Sequence, residues 1–459
     1  MADLHVAINR EKGGIAGQVA AELRESIRHG RLAPGTRLPA SRDLAADLQV
    51  SRGVVVEAYE QLVAEGFLVS RVGSGTQVAQ VTAPRPHAPA GGVEQHAPYY
   101  GHRPTSPDLG LFPRERWLAS VKHVLATMPG DALDYGDPGG VPELREELAG
   151  YLRRVRAADV RPENVVIVGG VAQGLSLILH VLARHRRQLL AVEDPTSHRQ
   201  TPLLRRAGAD LVPIPVDGQG MDVERLRAQH ADAALLTPAH QYPTGVVLSP
   251  ARRAALMEWA REGDRTILED DYDAEFRFDR DPVGCLQGLA PDRVILSGSV
   301  SKALAPGLRL GWVVAPAHLA EAVRRARGEL DLGSPVIEQY ALAHFLRTGG
   351  YDKHLRRMRR EYRRRRDALV GALAEHLPGV RVRGIEAGLH VYLDLPEGWD
   401  ESRVAAAALD LGLAAEPIGI MRSAAGPPAV VVGFARLPAR RAAEAVQGLK
   451  VRMSGQSID

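Results

Sequence analysis

The chain has one cysteine, Cys285 in "PVGCLQGL". No intrachain disulfide can staple the fold, and the residue is read as a small buried apolar side chain. Aromatic residues make up only 5% of the chain, and no apolar run approaches the roughly twenty residues needed to cross a bilayer. The opening "MADLHVAINREKGG" lacks the apolar core of a secretory signal, so the cytoplasm is the expected compartment. Neither sign of charge dominates, since 58 Lys and Arg against 55 Asp and Glu leave a formal +3. That total does not establish a nucleic-acid partner. What the chain does have is 46 glycines and 45% hydrophobic residues over 459 positions, enough for two or more domains with their own cores.

Ile15, Val19, Leu23 and Ile27 recur every fourth position and predict an amphipathic helix. After the turn "RLAPGTRLP", the segments "SRDLAADL" and "SRGVVVEAYEQLVAEG" each open on a serine, Ser41 and Ser51, suited to an N-cap. "FLVSRVGSGTQVA" alternates around glycines, as a two-stranded wing does. This order over "GRLAPGTRLPASRDLAADLQVSRGVVVEAYEQLVAEGFLVSRVGSGTQVA" resembles the winged helix-turn-helix of the GntR family of bacterial regulators. The resemblance implies double-stranded operator DNA as partner. The third helix would enter the major groove N-terminal end first, presenting Ser51, Arg52 and Gly53. Arg42, at the start of the second helix, and Arg71 with Gly73 in the wing would grip the backbone and minor groove, while Val56 replaces an arginine that some members carry. Residues 1–78 hold nine basic and nine acidic residues, so net charge alone would equally suit a protein partner. However, Arg37, Arg42, Arg52 and Arg71 fall in the turn, helix starts and wing, whereas Glu57, Glu60 and Glu65 lie farther down the third helix.

The Pro-, Ala-, Gly- and His-rich residues 80–108 lack apolar periodicity and read as an extended linker or loosely docked strap between a domain over 1–79 and one over 109–459. Beyond it, "VVIVGG", "LLAVED", "ADLVPIPV", "AALLTP", "TILEDD", "VILSGS" and "GWVVAP" alternate with helical patterns, which predicts an α/β fold with a mostly parallel sheet flanked by helices. A small α+β part follows from about residue 340. It opens on "KHLRRMRREYRRRRDAL", where Leu355, Met358 and Tyr362 mark a buried face and the arginines a solvated or dimer-facing surface, with auxiliary DNA contact as the alternative.

"SGSVSKALAPGLRLGW" sets Lys302 among hydroxyls and glycines at a strand end, with Arg309 seven residues on. An amine to condense with an aldehyde, and a cation to hold a phosphate, are what a pyridoxal 5'-phosphate site needs. Most of residues 108–450 resemble the fold-type I aminotransferases, and their fusion to a winged helix resembles the MocR subfamily of GntR regulators. The resemblance implies a homodimer with Lys302 as the Schiff-base lysine and Ser299 and Arg309 on the phosphate. Gly170, Val171 and Ala172 of "VIVGGVAQGLSLIL" would add a backbone N–H cradle for it. In "TILEDDYDAEF" the resemblance gives Asp270 the pyridine nitrogen and Tyr272 the phenolic oxygen, although by residue type Glu269 or Asp271 could serve as well. Tyr135 of "LDYGDPGG" would reach the neighbouring subunit's phosphate. No metal is expected, because the acidic cluster has no histidine or cysteine at ligand spacing.

Three positions depart from the aminotransferase pattern. Tyr242 in "HQYPTG" stands where an asparagine is usual. Ser197 replaces the ring-stacking tyrosine, leaving that role to His198, and Val431 replaces the arginine that takes the α-carboxylate, with Arg436 out of register. The expected function is a transcriptional regulator that senses pyridoxal phosphate or its adduct with an amino compound, controlling vitamin B6 or amino-compound metabolism. A working aminotransferase tethered to DNA and a cofactor-free dimerisation scaffold are the competing readings.

Overall fold

The computed structural model describes residues 8–71, 75–80, 103–183, 188–278 and 283–454. The chain divides into two compact units, residues 1–99 and 100–459. In the first, α1 (Ile15–Arg28), α2 (Ser41–Asp47) and α3 (Arg52–Ala64) close around Val19 and Leu23 of the four-residue stripe on α1 together with Leu44, Val55 and Leu62. The strands β1 (Leu68–Arg71) and β2 (Gly75–Val78) pair antiparallel as the wing, Leu68 opposite Val78. Gly73 lies outside the described residues. Ser51 occupies the N-cap of α3 without a side-chain cap bond. Ser41, expected to be an N-cap, is the first helical residue of α2, with Ala40 at the cap. Its hydroxyl instead accepts from Arg52 Nε at 3.4 Å, which ties the starts of α2 and α3 together.

The second unit is built on β3 (Val165–Val168), β4 (Gln188–Asp194), β5 (Ala209–Asp217), β6 (Gly220–Met221), β7 (Ala233–Leu236), β8 (Thr266–Asp271), β9 (Val294–Ser299) and β10 (Gly311–Val314). They form one sheet in the order β3-β10-β9-β8-β7-β4-β5-β6. The seven strand segments read from the sequence are all in it. The sheet is mostly parallel, but β10 runs antiparallel to both neighbours and the two-residue β6 antiparallel to β5. Its two faces are covered by separate apolar clusters, as a doubly covered sheet requires.

The last part holds a four-stranded antiparallel sheet of β11 (Arg381–Arg383), β12 (His390–Asp394), β13 (Ala414–Pro417) and β14 (Ala429–Gly433), in the order β11-β12-β14-β13. A long helix, Gly350–His376, leads into it. Leu355, Met358 and Tyr362 are buried along that helix as the spacing predicts. Its arginines are not all solvated. Arg365 and Arg366 are buried, Arg365 against Asp108 and Glu361, and Arg366 donates to the Ile385 carbonyl. Arg356, Arg357, Arg360, Arg363 and Arg364 are exposed.

Residues 103–108, the end of the stretch read as linker or strap, are held against this second unit. The Pro104 backbone passes so close to Gly433 that a Cβ there would lie 2.3 Å from the Pro104 carbonyl oxygen. Arg436 Nε donates to the Pro107 carbonyl at 2.9 Å, and the Asp108 amide donates to the Tyr362 hydroxyl at 2.9 Å.

Candidate functional site

β8 ends in three consecutive acids, and their surroundings separate them. Glu269 accepts from the amides of Leu286 at 3.0 Å and Gln287 at 3.1 Å, a purely structural role. Asp271 is engaged by Arg156 at 2.7 and 2.9 Å. Asp270 points to the opposite side of the strand. It is buried and accepts one bond, from Gln200 Nε2 at 3.3 Å, while its Oδ1 has no hydrogen-bond partner. Burial pushes its pKa up to about 7, with the Gln200 bond opposing. An orphaned acceptor in such a place calls for a donor from a ligand.

Lys302 follows β9 and is half-buried, its Nζ donating to Thr105 Oγ1 at 3.1 Å. Burial brings its pKa down to about 8; the Asp273 and Asp270 carboxylates oppose the shift and the Arg103 guanidinium reinforces it. Such an amine has a substantial neutral, nucleophilic fraction near neutral pH. Tyr272 stands just past the end of β8, its hydroxyl 3.1 Å from His240 Nδ1, which in turn lies 2.9 Å from Asp273 Oδ2.

The glycine-rich turn after β3 has the form of an anion cradle. Gly170 sits at φ +108°, a conformation open to glycine, and caps the helix Val171–Leu182, whose first amides, those of Val171 and Ala172, receive no side-chain cap. A Cβ on Gly170 would lie 3.0 Å from a guanidinium nitrogen of Arg309, so that cation rests directly over the turn. Ser299 ends β9, buried, opposite Gly311 in register. Asp270, Tyr272, Ser299, Lys302 and Gly170 thus gather at the C-terminal ends of β8, β9 and β3, where open α/β sheets bind their ligands.

Other expected residues sit as follows. His198 is half-buried, in the same short segment as Gln200; burial lowers its pKa, with Glu416 opposing. Tyr135 is 84% exposed, so it is no part of this protomer's own cleft. Val431 is buried in β14 between Tyr392 and Glu416 and presents no cation. Cys285 is buried, its thiol pKa pushed up by burial to about 12.

Sequence reasoning missed Gln200, Thr105 and a buried group of His240, Asp273 and His390, whose possible ligand atoms lie within 4.8 Å of one another. This is the one metal-capable cluster among the described residues. The residues are 33 or more positions apart, so no local spacing announces them.

In the first unit, Arg42, Ser51, Arg52, Gly53 and Arg71 are all exposed. Of the acids noted on α3, Glu57 and Glu60 are exposed, and its C-cap Glu65 is bound by Arg24 at 2.6 Å and 2.7 Å. Of these three acids Glu65 is therefore paired, at the end of α3 farthest from Arg52.

The two units define a class, a winged helix joined to an aminotransferase fold, and the comparisons with known proteins agree. The model for aminotransferase class I and II matches residues 107–447, and that for bacterial regulatory proteins of the gntR family matches residues 15–78. An HTH-type pyridoxine biosynthesis transcriptional regulator, PdxR, of Corynebacterium glutamicum is 35% identical over 412 residues, covering 86% of each chain. The probable rhizopine catabolism regulatory protein MocR of Rhizobium meliloti is 31% identical over 94% of this chain and 92% of its own. Among solved structures, an archaeal alanine:glyoxylate aminotransferase superposes with TM-score 0.70 at 29% identity, covering 77% of this chain and 90% of that one. The chain belongs to the MocR-type family of HTH transcriptional regulators, which carry a GntR-type DNA-binding domain and an aminotransferase-like domain.

Proposed function

We propose that this regulator works in the cytoplasm as a homodimer that binds operator DNA through α3 and the wing and senses pyridoxal 5'-phosphate, or its adduct with an amino compound, in the cleft around Lys302. One observation carries the reading. A buried, partnerless carboxylate oxygen, Asp270 Oδ1, shares that cleft with a lysine amine whose pKa burial brings down to about 8. When bound, the cofactor supplies an aldehyde that condenses with a primary amine with loss of water.

Asp270 would accept from the ring nitrogen, and its negative charge would keep that nitrogen protonated. Arg309, Ser299 and the amides at Gly170, Val171 and Ala172 would hold the phosphate. Tyr272 would take the phenolic oxygen and His198 the ring face, and the exposed Tyr135 would serve the neighbouring subunit. The likeness to a regulator of pyridoxine biosynthesis supports control of vitamin B6 metabolism. The missing cation at Val431 disfavours a working aminotransferase, because an α-carboxylate finds no arginine at that strand position.

Borohydride reduction of the purified protein after addition of pyridoxal phosphate, followed by peptide mapping, tests the assignment. The pyridoxyl group is expected on Lys302 and absent from Lys302→Ala. Label on another lysine overturns the site.

A further inference from the structure

Tyr272 can contact a cofactor oxygen as donor or as acceptor, and the groups behind it decide which. Its hydroxyl lies 3.1 Å from His240 Nδ1, and the same Nδ1 lies 2.9 Å from Asp273 Oδ2. His240 and Asp273 are each 1% exposed. An ionised carboxylate only accepts, so the proton between Asp273 and His240 belongs to Nδ1. A nitrogen that carries this proton cannot accept the proton of Tyr272. The phenolic oxygen then sits as a second acceptor of the Nδ1–H, and its own proton has two destinations, the cleft or the Asp273 carboxylate beside it. Burial holds the Tyr272 pKa up, and the charge and hydrogen bond of Asp273 add to it.

The surroundings are built around this pair. Phe278 donates its amide to the Glu386 carbonyl, and Gly388 donates to the Phe276 carbonyl, so the segment leading into β12 lies against the residues that follow β8. That places Gly388, at φ +80°, where a Cβ would be 2.2 Å from His240 Cε1 and 2.7 Å from Asp273 Oδ2. Any side chain there would drive the imidazole off the carboxylate. On the other flank the ring of His390 stands 4.9 Å from that of His240. Arg277 Nη1 holds the Ala239 carbonyl at 3.1 Å, fixing the chain just before His240.

We propose that His240, oriented by Asp273, is a positioning residue that keeps Tyr272 a hydrogen-bond donor toward the phenolic oxygen of bound pyridoxal phosphate. This rests on the cofactor reading above. Without the imidazole, Asp273 becomes the strongest acceptor near Tyr272 and draws the phenolic proton away from the cleft.

The full-length protein tests this with four variants, His240→Phe, His240→Asn, Tyr272→Phe and the double variant His240→Phe/Tyr272→Phe. Pyridoxal phosphate is titrated into each apo protein, and the Kd and the pH midpoint of the visible absorption band are measured. Asparagine can present an N–H close to the Nδ1 position, so His240→Asn is expected to stay near wild type. His240→Phe is expected to weaken binding about tenfold, the value of one directed hydrogen bond, and to raise the pH midpoint. The double variant is expected to match Tyr272→Phe alone, since His240 acts only through that hydroxyl. A tenfold loss from His240→Phe in the Tyr272→Phe background as well, or no effect in either, overturns the proposal. So does stoichiometric zinc in the purified wild type, which would make His240, Asp273 and His390 a metal site. Failure of the wild type itself to bind pyridoxal phosphate is a separate result, and it removes the cofactor reading beneath.

Discussion

A lysine in water titrates near 10.4, and in this protein Lys302 titrates near 8 because burial disfavours its charged form. Only the unprotonated amine attacks an aldehyde. Covalent uptake of pyridoxal phosphate by the apo protein should therefore accelerate as pH rises, about tenfold per unit below the midpoint, and level off above roughly pH 8. Stopped-flow absorbance over pH 6 to 10 measures this. A rate still climbing at pH 10 would mean that Lys302 is as solvated as an ordinary surface lysine. "SGSVSKALAPGLRLGW" singles out this lysine by its neighbours, but its environment was not legible there. Neither Thr105, 197 positions away, nor the burial could be read from local sequence. Likewise the three acids of "LEDD" differ only through their tertiary partners. Strand alternation sends Glu269 and Asp271 to Leu286, Gln287 and Arg156, and leaves Asp270 facing the cleft.

Elements were more legible than contacts wherever one periodicity ruled a whole segment. The four-residue stripe of α1 and the apolar runs of β3, β4, β5, β7, β8, β9 and β10 appear where expected, because burying those faces is what forms them. The direction of β10 was hidden, since a buried strand reads the same either way. The sequence left residues 103–108 open between linker and docked strap. A segment without periodicity can still be pinned by single contacts, here from Gly433, Arg436 and Tyr362. In α3, Arg52 and Gly53 are exposed at the leading turn, with Arg52 Nε on Ser41. Arg52→Ala is expected to cost about 1 to 3 kcal/mol of operator binding if the arginine reads a base edge, and to leave pyridoxal phosphate binding unchanged. Footprinting at fixed salt checks this, and unaltered protection would place the recognition surface elsewhere.

For the whole molecule, what must be explained is why a DNA-binding protein keeps a reactive lysine. The contact from Lys302 Nζ to Thr105 Oγ1 suggests the physical link. Thr105 lies on the winged-helix side of the aminotransferase-like domain in the sequence, so a change at the amine bears first on residues 103–108. Condensation at Nζ would leave it at most one N–H and so weaken the hold on Thr105. A coupling of this kind is typically 1 to 3 kcal/mol, about 5- to 150-fold in affinity, and it acts equally in both directions. Pyridoxal phosphate is therefore expected to change the operator Kd of the native protein, and operator DNA to change the affinity for pyridoxal phosphate by the same factor. Lys302→Ala should abolish the effect, and Thr105→Val, which deletes the acceptor, should reduce it. Titrations by fluorescence anisotropy at one salt concentration measure all four quantities. Equal operator Kd values for apo and loaded wild type would rule out direct sensing of pyridoxal phosphate, and an adduct with an amino compound would then be the effector to test, since its formation also changes the state of the Lys302 amine.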